Sequence, residues 1–496
     1  MHSAVLRRVG ALLVALGLIG SLAVSSALAA SITVNSLDDT AANDGACTLR
    51  EAITAANTDT ASGAAAGECS AGSGADTITF SVSGTIVLTS ALDVISTNLS
   101  IDGAGAITVS GASTYQVLNI SAAGTVALSG LTITGGAASQ GAGIFNAGTL
   151  TVTNSTISGN SANFGGGISN AGTLSLTNST VSGNAAIGSG GVGGGMLNFG
   201  TATVANSTFS ANSSTQLAGG FWNNGSATIT VTNSTISGNS AIDGGGLGAA
   251  GTETLVNSIV AGNSAPVGAD ILDTVETNTT NVIGVPGGMT LADILVPAGL
   301  ADNGGPTQTI ALALVAGNPA IDTATSAVCA AAPVNALDQR GMPRPAACDI
   351  GAYEAQPPTV AAHTNVTAAV SPAAPLAVTY TPPAGTDEQG GSAAVACLPA
   401  SGSSFAVGST TVTCTATDAV GHTASGTFQV IVSAVAAPTP PSPTGSPTAT
   451  PKPLPNAAMP SGTNALPALL SMLVLVSLLG LVALARTYGG GRGLRR

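Results

Sequence analysis

The sequence predicts an all-β solenoid, a parallel β-helix, as the main body of the chain. The phrase Asn-Ser-Thr, which becomes Asn-Ser-Ile in its last copy, recurs between about Gly124 and Ile271 at intervals of 24, 28, 27 and 24 residues. Within each copy, apolar residues alternate with small polar ones, and the chain contains 66 Gly in 496 residues. A fixed period in this range is typical of stacked repeats, and period-two alternation indicates strands.

Each copy holds about three apolar runs, and each run ends in Asn or Gly, the residues that turn a chain with least strain. In the copy around Thr151 these runs are Gly-Ile-Phe-Asn, Thr-Leu-Thr-Val-Thr-Asn and Ser-Thr-Ile-Ser-Gly-Asn. Three strands and three corners form one coil of a solenoid. With strands about 4.8 Å apart, about six coils would rise about 29 Å.

Two columns of Asn recur with this period, six residues apart in each copy. The first column contains Asn154, Asn178, Asn206, Asn233 and Asn257, and the second contains Asn160, Asn184, Asn212, Asn239 and Asn263. An inward Asn offers a donor and an acceptor, so each column is predicted to form a ladder of side-chain hydrogen bonds between successive coils. Asn-Ser-Thr is also a glycosylation sequon, which is the alternative for the first column.

Composition limits the possible partners. Between residues 11 and 485 the chain carries 4 basic and 23 acidic residues, a net charge of −19. Nucleic acid is therefore not an expected partner, because phosphate binding requires a basic surface.

The six cysteines fall into three local pairs: Cys47 with Cys69, Cys329 with Cys348, and Cys397 with Cys414. An even count in an exported chain indicates disulfides, although fifteen pairings are formally possible. Cys-x-x-Cys is absent from the sequence and His is scarce, which disfavours zinc. No metal and no cofactor are expected.

Residues 1–29 have the pattern of a secretory signal peptide, with Arg7 and Arg8, an apolar run and an Ala-Leu-Ala cleavage site; an uncleaved anchor is the alternative. Residues 30–80 are predicted to form an N-terminal cap. Thr48 and Glu51 stand at capping-box spacing, which predicts a helix with Leu49, Ala52, Ile53 and Ala56 on one face.

The motif Cys-Thr-Leu-Arg-Glu-Ala, at residues 47–52, resembles the CSLREA-type domain found at the N-terminus of bacterial surface proteins, with Thr48 in place of the usual Ser. The resemblance implies an architecture and no activity. A helix stapled by Cys47–Cys69 would cover the first coil and block edge-to-edge aggregation. Arg50 and Glu51 are interpreted as a surface ion pair on this cap, with a catalytic pair as the alternative.

Residues 81–303 are predicted to form the β-helix, with irregular first coils near Thr77–Phe80 and Ile107–Val109. This stretch resembles the right-handed parallel β-helix families, which include pectin-degrading enzymes, phage tailspikes and adhesins, so the resemblance invites an enzyme hypothesis. Yet no Lys, Arg or His lies between Glu51 and Gln339. Asp243 and Glu253 are the only candidate carboxylate pair on the regular coils, and turn or surface positions are predicted for both.

One aromatic pair lies on the coils, in Gly-Gly-Phe-Trp-Asn-Asn. Phe221 aligns with the inward positions Ile144 and Ile168 and is predicted to be core. Trp222 should point outward, which makes it the candidate contact for a glycan, with simple packing as the alternative.

Residues 304–354 are predicted to close the solenoid. The motifs Gly-Asn-Pro-Ala-Ile-Asp, at residues 317–322, and Cys-Asp-Ile-Gly-Ala-Tyr-Glu, at residues 348–354, resemble the choice-of-anchor Q domain, which closes β-helices in bacterial surface proteins. The charged group of this region is interpreted as a half-buried network that locks the last coil together with Cys329–Cys348; an active site is the alternative. Its members are Asp338, Arg340, Arg344, Asp349 and Glu354.

Residues 355–434 contain short alternating strands between turn residues, which predicts a small β-sandwich with a Cys397–Cys414 bridge. The motifs Val-Thr-Cys-Thr-Ala-Thr-Asp, at residues 412–418, and Gly-His, at residues 421–422, resemble the HYR (hyalin repeat) domain, an immunoglobulin-like module associated with adhesion. His422 is predicted to be a solvent-facing loop residue and not a metal ligand.

The C-terminal segments predict display at a membrane. Residues 435–465 form a Pro/Thr-rich linker, residues 466–485 are twenty residues without a charge, and residues 486–496 are basic. This order predicts a stalk, one transmembrane helix and a cytoplasmic tail, with the N-terminal ectodomain outside the cell. A sortase-type signal is the alternative, but Leu-Pro-x-Thr-Gly is absent from the sequence.

The sequence therefore predicts a membrane-anchored bacterial surface protein that is adhesive or structural and not an enzyme. Its surface ligand is unidentified, with polysaccharide or a matrix protein as the candidate classes. The two alternatives are an extracellular polysaccharide lyase or hydrolase, and a non-catalytic glycan-binding module.

Overall fold

The computed structural model describes residues 29–371, 374–436 and 439, and those up to Ala436 belong to one compact unit. The signal segment before residue 29, nearly all of the linker, the apolar span and the basic tail lie outside the described residues. Within the described part, none of the helices has the length and apolar character needed to cross a membrane.

An all-β solenoid of about nine coils forms the main body, as the repeat predicts. Its largest sheet contains 17 strands joined by parallel pairing, and two successive strands of each coil contribute to it. The first row of strands comprises Ser31–Val34, Ala75–Phe80, Asn98–Ser110, Thr125–Thr134, Thr149–Thr153, Thr173–Thr177, Thr201–Ala205, Thr228–Thr232, Thr252–Val256 and Thr277–Thr279. The second row comprises Gly84–Val87, Thr156–Ser158, Thr180–Ser182, Thr208–Ser210, Thr235–Ser237, Ile259–Val260 and Val282–Ile283. The second halves of Asn98–Ser110 and Thr125–Thr134 also belong to this row.

Two smaller parallel sheets complete the coil. A seven-stranded sheet comprises Leu118–Ile120, Ile144–Asn146, Ile168–Asn170, Met196–Asn198, Phe221–Asn223, Leu247–Ala249 and Ile271–Leu272. A four-stranded sheet comprises Ala137–Gln140, Ser161–Phe164, Ala185–Ala186 and Ser213–Ser214. A regular coil therefore contains a fourth strand that the three apolar runs do not predict, because two to four residues are too short to show a period.

The solenoid is longer than the regular repeats indicate, and its boundaries differ from residues 81–303. Ser31–Val34 pairs in parallel with Thr77–Phe80, so the first strand of the predicted cap belongs to the same sheet as the coils. The last parallel pair joins Ile259–Val260 to Val282–Ile283. Backbone pairing tolerates irregular sequence, which is why coils without the Asn-Ser-Thr phrase still stack.

Helix α1, Leu49–Thr58, covers the first coils and shares one hydrophobic core with them. It begins with the predicted capping box: the Thr48 side chain accepts from the Glu51 N–H, and the Glu51 carboxylate accepts from the Thr48 N–H at 3.0 Å. The predicted Arg50–Glu51 ion pair is wrong. Glu51 is buried in this cap, and Arg50 instead pairs with Asp39 at 2.6 Å.

After the last coil the chain changes architecture. A 3₁₀ turn, Leu291–Asp293, precedes an antiparallel pair formed by Leu295–Ala301 and Thr309–Leu312. A short helix α2, Ser326–Ala330, then carries Cys329 into the interior. Pairing antiparallel to each other, these strands end the parallel stacking.

Residues 355–434 form the predicted small β domain with its own core. A six-stranded sheet contains Thr359–Val360, Gly385–Thr386, Ser392–Leu398, Gly408–Thr417, Thr423–Ala434 and Val366–Val370, in that order. Leu376–Ala377 and Ser404–Phe405 form a second, two-stranded sheet. The Phe405 and Val412 side chains are buried in the core between them.

Candidate functional site

The second Asn column forms a continuous ladder inside the solenoid. The Nδ2 atom of each Asn donates to Oδ1 of the Asn one coil further on, at 2.9 to 3.0 Å, from Asn160 through Asn263. The main-chain N–H of each Asn donates to the same oxygen. The ladder ends on Asp270, whose Oδ1 accepts from Nδ2 of Asn263 at 2.9 Å. A corner residue that bends out of the sheet thus satisfies its buried amide groups.

A further Asn ladder was not predicted. It joins Asn146, Asn170, Asn198 and Asn223, with Nδ2 to Oδ1 distances of 2.7 to 2.8 Å between successive coils. The signal was present in the sequence, because an Asn ends each of the runs Ile-Phe-Asn, Ile-Ser-Asn, Met-Leu-Asn and Phe-Trp-Asn. Variable coil lengths hid it, since the interval from Asn198 to Asn223 is 25 residues while the first column advances by 27.

The first Asn column acts through its backbone, so the predicted side-chain ladder is wrong for it. All five residues have φ between 44° and 51°, the left-handed region that Asn tolerates better than other side chains. The Asn154 side chain is exposed, and Oδ1 of Asn178 and of Asn206 is buried without a hydrogen-bond partner. One contact of the predicted kind exists, from Nδ2 of Asn257 to Oδ1 of Asn233 at 3.3 Å.

Burial bears on the sequon alternative. Asn206, Asn233 and Asn257 are at most 1% exposed, so the folded coils leave no room for a glycan there. The following Ser residues, such as Ser179 and Ser207, are buried as well. The Ser207 hydroxyl accepts from the main-chain N–H of Ser179 one coil earlier, at 3.2 Å. Burial therefore excludes a glycan at these three positions in the folded chain, whereas the exposed Asn154 stays open to the sequon alternative.

The closing region packs along the side of the solenoid, which corrects the prediction that it locks the last coil. Its side chains and backbone contact five successive coils at the corner of the first Asn column. The Thr208 hydroxyl donates to Oε1 of Gln339 at 2.6 Å, and Nδ2 of Asn206 donates to the carbonyl of Leu337 at 2.8 Å. The main-chain N–H of Gly351 donates to the carbonyl of Asn257. Coils from Asn178 to Thr280 are thereby tied together through one segment.

The charged network of the closing region is fully buried and not half-buried. Nη1 of Arg344 donates to Oε2 of Glu354 at 2.8 Å, with side chains 0% and 1% exposed, and Nη2 donates to the carbonyl of Gly351. Burial raises the pKa of Glu354, the neighbouring Asp349 carboxylate raises it further, and Arg344 opposes both. Arg344 is supplied with acceptors on every side, which is what a buried charge requires.

A second arginine joins this region to the sandwich domain. Arg340 pairs with Asp338 at 2.8 Å and with Glu388 of the sandwich at 2.5 Å. Its guanidinium lies over the ring of buried Tyr353, 3.6 Å from the centroid. These contacts neutralise the guanidinium charge, so Arg340 stabilises the junction between the closing region and the sandwich domain.

The three predicted disulfides are confirmed: Cys47–Cys69, Cys329–Cys348 and Cys397–Cys414. Cys329–Cys348 lies where the closing region meets the coils, and Sγ of Cys329 accepts from Nδ2 of Asn233 at 3.4 Å. The described part of the chain has no free cysteine.

The aromatic pair divides as the alignment predicts. Phe221 is fully buried and meets Phe209 edge-on, with ring centroids 5.8 Å apart. Trp222 is half-buried, and its ring occupies the space beside Gly248 on the next coil, where a Cβ would come within 2.8 Å of it. The six-membered ring of the indole therefore packs against the next coil.

The carboxylate pair does not form an accessible site. Glu253 is 1% exposed and takes the inward position that Ile229 occupies one coil earlier, so the predicted surface position is wrong. Neither of its carboxylate oxygens has a hydrogen-bond partner, and burial, followed by the charge of Glu276, raises the pKa of Glu253 to about 8. Asp243 pairs by backbone with Val267 on another side of the coil.

His422 is a bridge between domains and not the predicted solvent-facing loop residue. Its Nε2 lies 3.4 Å from Oδ2 of Asp322 in the closing region, and its Nδ1 lies 3.3 Å from Oδ2 of Asp418. Its side chain is 15% exposed. No cluster of three or more His, Cys, Asp or Glu suited to a metal ion occurs among the described residues.

This architecture is that of a β-solenoid joined to a small β domain. Residues 77–279 match the family model of the right handed beta helix region, and residues 353–432 match that of the HYR domain. Neither the curated proteins nor the solved structures give a match to the chain. The CSLREA-type and choice-of-anchor Q resemblances stay predictions. Together the two matched domains indicate an extracellular adhesive or structural protein.

Proposed function

We propose that this protein is an adhesive or structural protein of a bacterial cell surface, anchored by one C-terminal membrane span, and that it holds its partner without converting it. The location is supported by the signal pattern of residues 1–29 and by the uncharged residues 466–485 with the basic tail behind them. The HYR domain, stapled by Cys397–Cys414, fits an oxidising environment outside the cell.

The observation that carries the proposal is the chemistry of the main outer face. From Thr125 to Val256, the outward positions of the first strand row are Thr, Ser, Ala or Val. General acid–base catalysis requires a titratable side chain within hydrogen-bond reach of the substrate. Glu253, whose raised pKa would otherwise suit a general acid, is sealed inside the coil. A face of this kind is suited to binding a partner without converting it chemically.

A neutral polysaccharide or a matrix protein is the proposed class of partner. The strongly acidic balance of the chain leaves no basic surface for nucleic acid. The test is a binding screen of the full chain against glycans and matrix proteins. Reducing-end release is measured in parallel on acidic and neutral glycans, with and without calcium. Saturable binding without release supports the proposal, whereas release from any glycan establishes the enzyme alternative.

Half-exposed Trp222 favours a second candidate, a non-catalytic glycan-binding module, because an aromatic face stacks on sugar rings. Trp222→Ala would then abolish binding on a glycan array. Phe145→Ala is the matched control, since Phe145 lies in the same outward column three coils earlier. Equal loss in both variants would indicate damage to the coils and not a site at Trp222.

A further inference from the structure

The outer face of the first strand row carries a two-dimensional array of hydroxyl groups. Two outward columns run along it, two residues apart on every strand. The first column is exposed and consists of Thr125, Thr149, Thr173, Thr201, Thr228 and Thr252. The second is partly to fully exposed and consists of Ala127, Thr151, Ser175, Thr203, Thr230 and Thr254. Five consecutive coils thus present Thr-x-Thr or Thr-x-Ser.

The array is regular because the strands stay in register. Each Thr of the first column pairs with the next by backbone, without a shift between Thr125 and Thr252. The Thr and Ser positions therefore repeat about every 4.8 Å between coils and about every 6.7 Å along a strand, and six coils extend the array over about 24 Å. Thr is stiff at χ1, so its hydroxyl positions are held. Oγ1 of Thr228 donates to Oγ1 of Thr201 at 3.3 Å, so hydroxyls of adjacent coils lie on the same face and come within hydrogen-bond reach of each other.

The same chain shows what an equivalent Thr column does when it has a partner. In the second strand row, Thr180, Thr208 and Thr235 occupy successive outward positions and are buried under the closing region. Thr180 donates to the carbonyl of Gln308, and Thr208 donates to Gln339, both at 2.6 Å. The Thr235 hydroxyl accepts from the Ala352 N–H at 3.1 Å. A column of this kind binds a partner that offers one polar group per coil.

We infer that the open array binds the surface of crystalline water, so that the protein adheres to ice. Each hydroxyl donates one hydrogen bond and accepts up to two, which is the capacity of a water molecule in a lattice. An array with fixed residue spacings would hold a first layer of waters in two-dimensional order, at little further cost in entropy. This inference rests on the proposed function that the outer face holds a partner, and it names ice in place of a polysaccharide or a matrix protein.

The alternative occupant of the same face, a neutral polysaccharide, fits its chemistry less well. Sugar rings are bound by aromatic platforms and by planar amide or charged side chains. The two columns contain neither, and their one departure from a hydroxyl side chain is Ala127. Charged groups, which impose their own hydration shells, are also absent from these twelve positions. A partner that is itself periodic in two dimensions makes the best use of this array.

The experiment measures incorporation of the purified full chain, in mild detergent, into a slowly growing ice hemisphere. Thr203→Tyr places a bulky ring in the middle of the array. Ser213→Tyr is the matched control, because Ser213 is exposed on the four-stranded sheet of the neighbouring coil face. We expect the natural chain and Ser213→Tyr to enter the ice equally, and Thr203→Tyr to be depleted about tenfold or more. Thermal unfolding of all three is recorded to confirm equal folding.

Equal exclusion of the natural chain and of a detergent-matched protein without such an array would overturn the inference, as would equal incorporation of both variants. The same three proteins are tested for binding to neutral polysaccharides. Binding there that Thr203→Tyr abolishes, with no incorporation into ice, would refute ice adhesion and leave the proposed function standing. Absence of both ice incorporation and polysaccharide binding in the natural chain would refute ice adhesion and a polysaccharide partner alike.

Discussion

Nδ2 of Asn184 donates to Oδ1 of Asn212 at 3.0 Å, one coil further along the solenoid, and the main-chain N–H of Asn184 donates to the same oxygen at 3.0 Å. Oδ1 of Asn184 in turn accepts two equivalent bonds from Asn160. Each member of this ladder therefore serves both of its neighbours, and the column is a continuous buried network. Such a network stabilises the fold only while every member is present.

Removing one member of the ladder should be costly. In Asn184→Leu, two donors of Asn160, Oδ1 of Asn212 and the carbonyl of Ile157 lose a buried partner. Leaving a buried polar group unpaired costs about 1–3 kcal/mol, so we expect at least that loss in the free energy of unfolding. Denaturant unfolding monitored by circular dichroism measures it. A change below about 0.5 kcal/mol would contradict a role for the ladder in stability.

The first Asn column should respond to backbone conformation and not to loss of the side chain. Asn154 has φ 50° and an exposed side chain. Asn154→Gly should therefore be within about 0.5 kcal/mol of the natural chain, whereas Asn154→Val should destabilise it by about 1–2 kcal/mol. Thermal unfolding of the two variants provides the comparison. Equal destabilisation by Gly and Val would indicate that the side chain is what matters.

Stability should depend on pH through Glu253. Its pKa is raised from 4.5 to about 8 in the folded chain, so its contribution is fully present below about pH 4.5 and is lost as pH rises through about 8. Glu253→Leu should remove this dependence and stabilise the protein at pH 9 by an amount on the order of a few kcal/mol. Unfolding midpoints from pH 5 to 9 provide the measurement. Glu276→Gln is the control and should have a smaller effect, because burial is the larger cause of the shift.

Breaking the buried pair of the closing region should be severe, while replacing both partners should not. Arg344→Met leaves the Glu354 carboxylate buried without its cation and should cost about 3–5 kcal/mol. The double variant Arg344→Met with Glu354→Leu should recover much of that loss, since no buried charge is left unpaired. A double-mutant cycle by denaturant unfolding gives the coupling. Additive losses would show that the two side chains act independently.

The repeat and its strands were predictable because they depend on local pattern. Alternation of Leu150 and Val152 with threonines sets one face inward, and the 24-residue interval stacks equivalent positions, whatever the rest of the chain does. The capping box at Thr48 and Glu51 is local as well, and the structure has it. Glu253 could have been recognised, because it falls on an inward position of the same alternation. A surface position was predicted for Glu253 because its side chain is acidic, although its register in the strand is inward.

The contacts that place the closing region could not be predicted from pattern. Asn206 meets Leu337 across 131 residues of sequence, and His422 meets Asp322 across 100. No periodicity links such positions, since each contact depends on the path of a non-repetitive segment over the coils. The resemblance of that segment to a closing domain implied an end position, whereas the structure places it along the side.

By itself, the sequence determined that the chain coils into a solenoid of stacked strands with Asn at its corners, because the hydrophobic period and the turn residues act over a few residues at a time. Tertiary structure alone decided which hydroxyl columns stay open. Thr208 is covered by Gln339, while Thr201 and Thr203, on the strand just before it, face outward. Threonines fill successive positions in both columns, and only the docking of a distant segment buries one column and leaves the other at the surface.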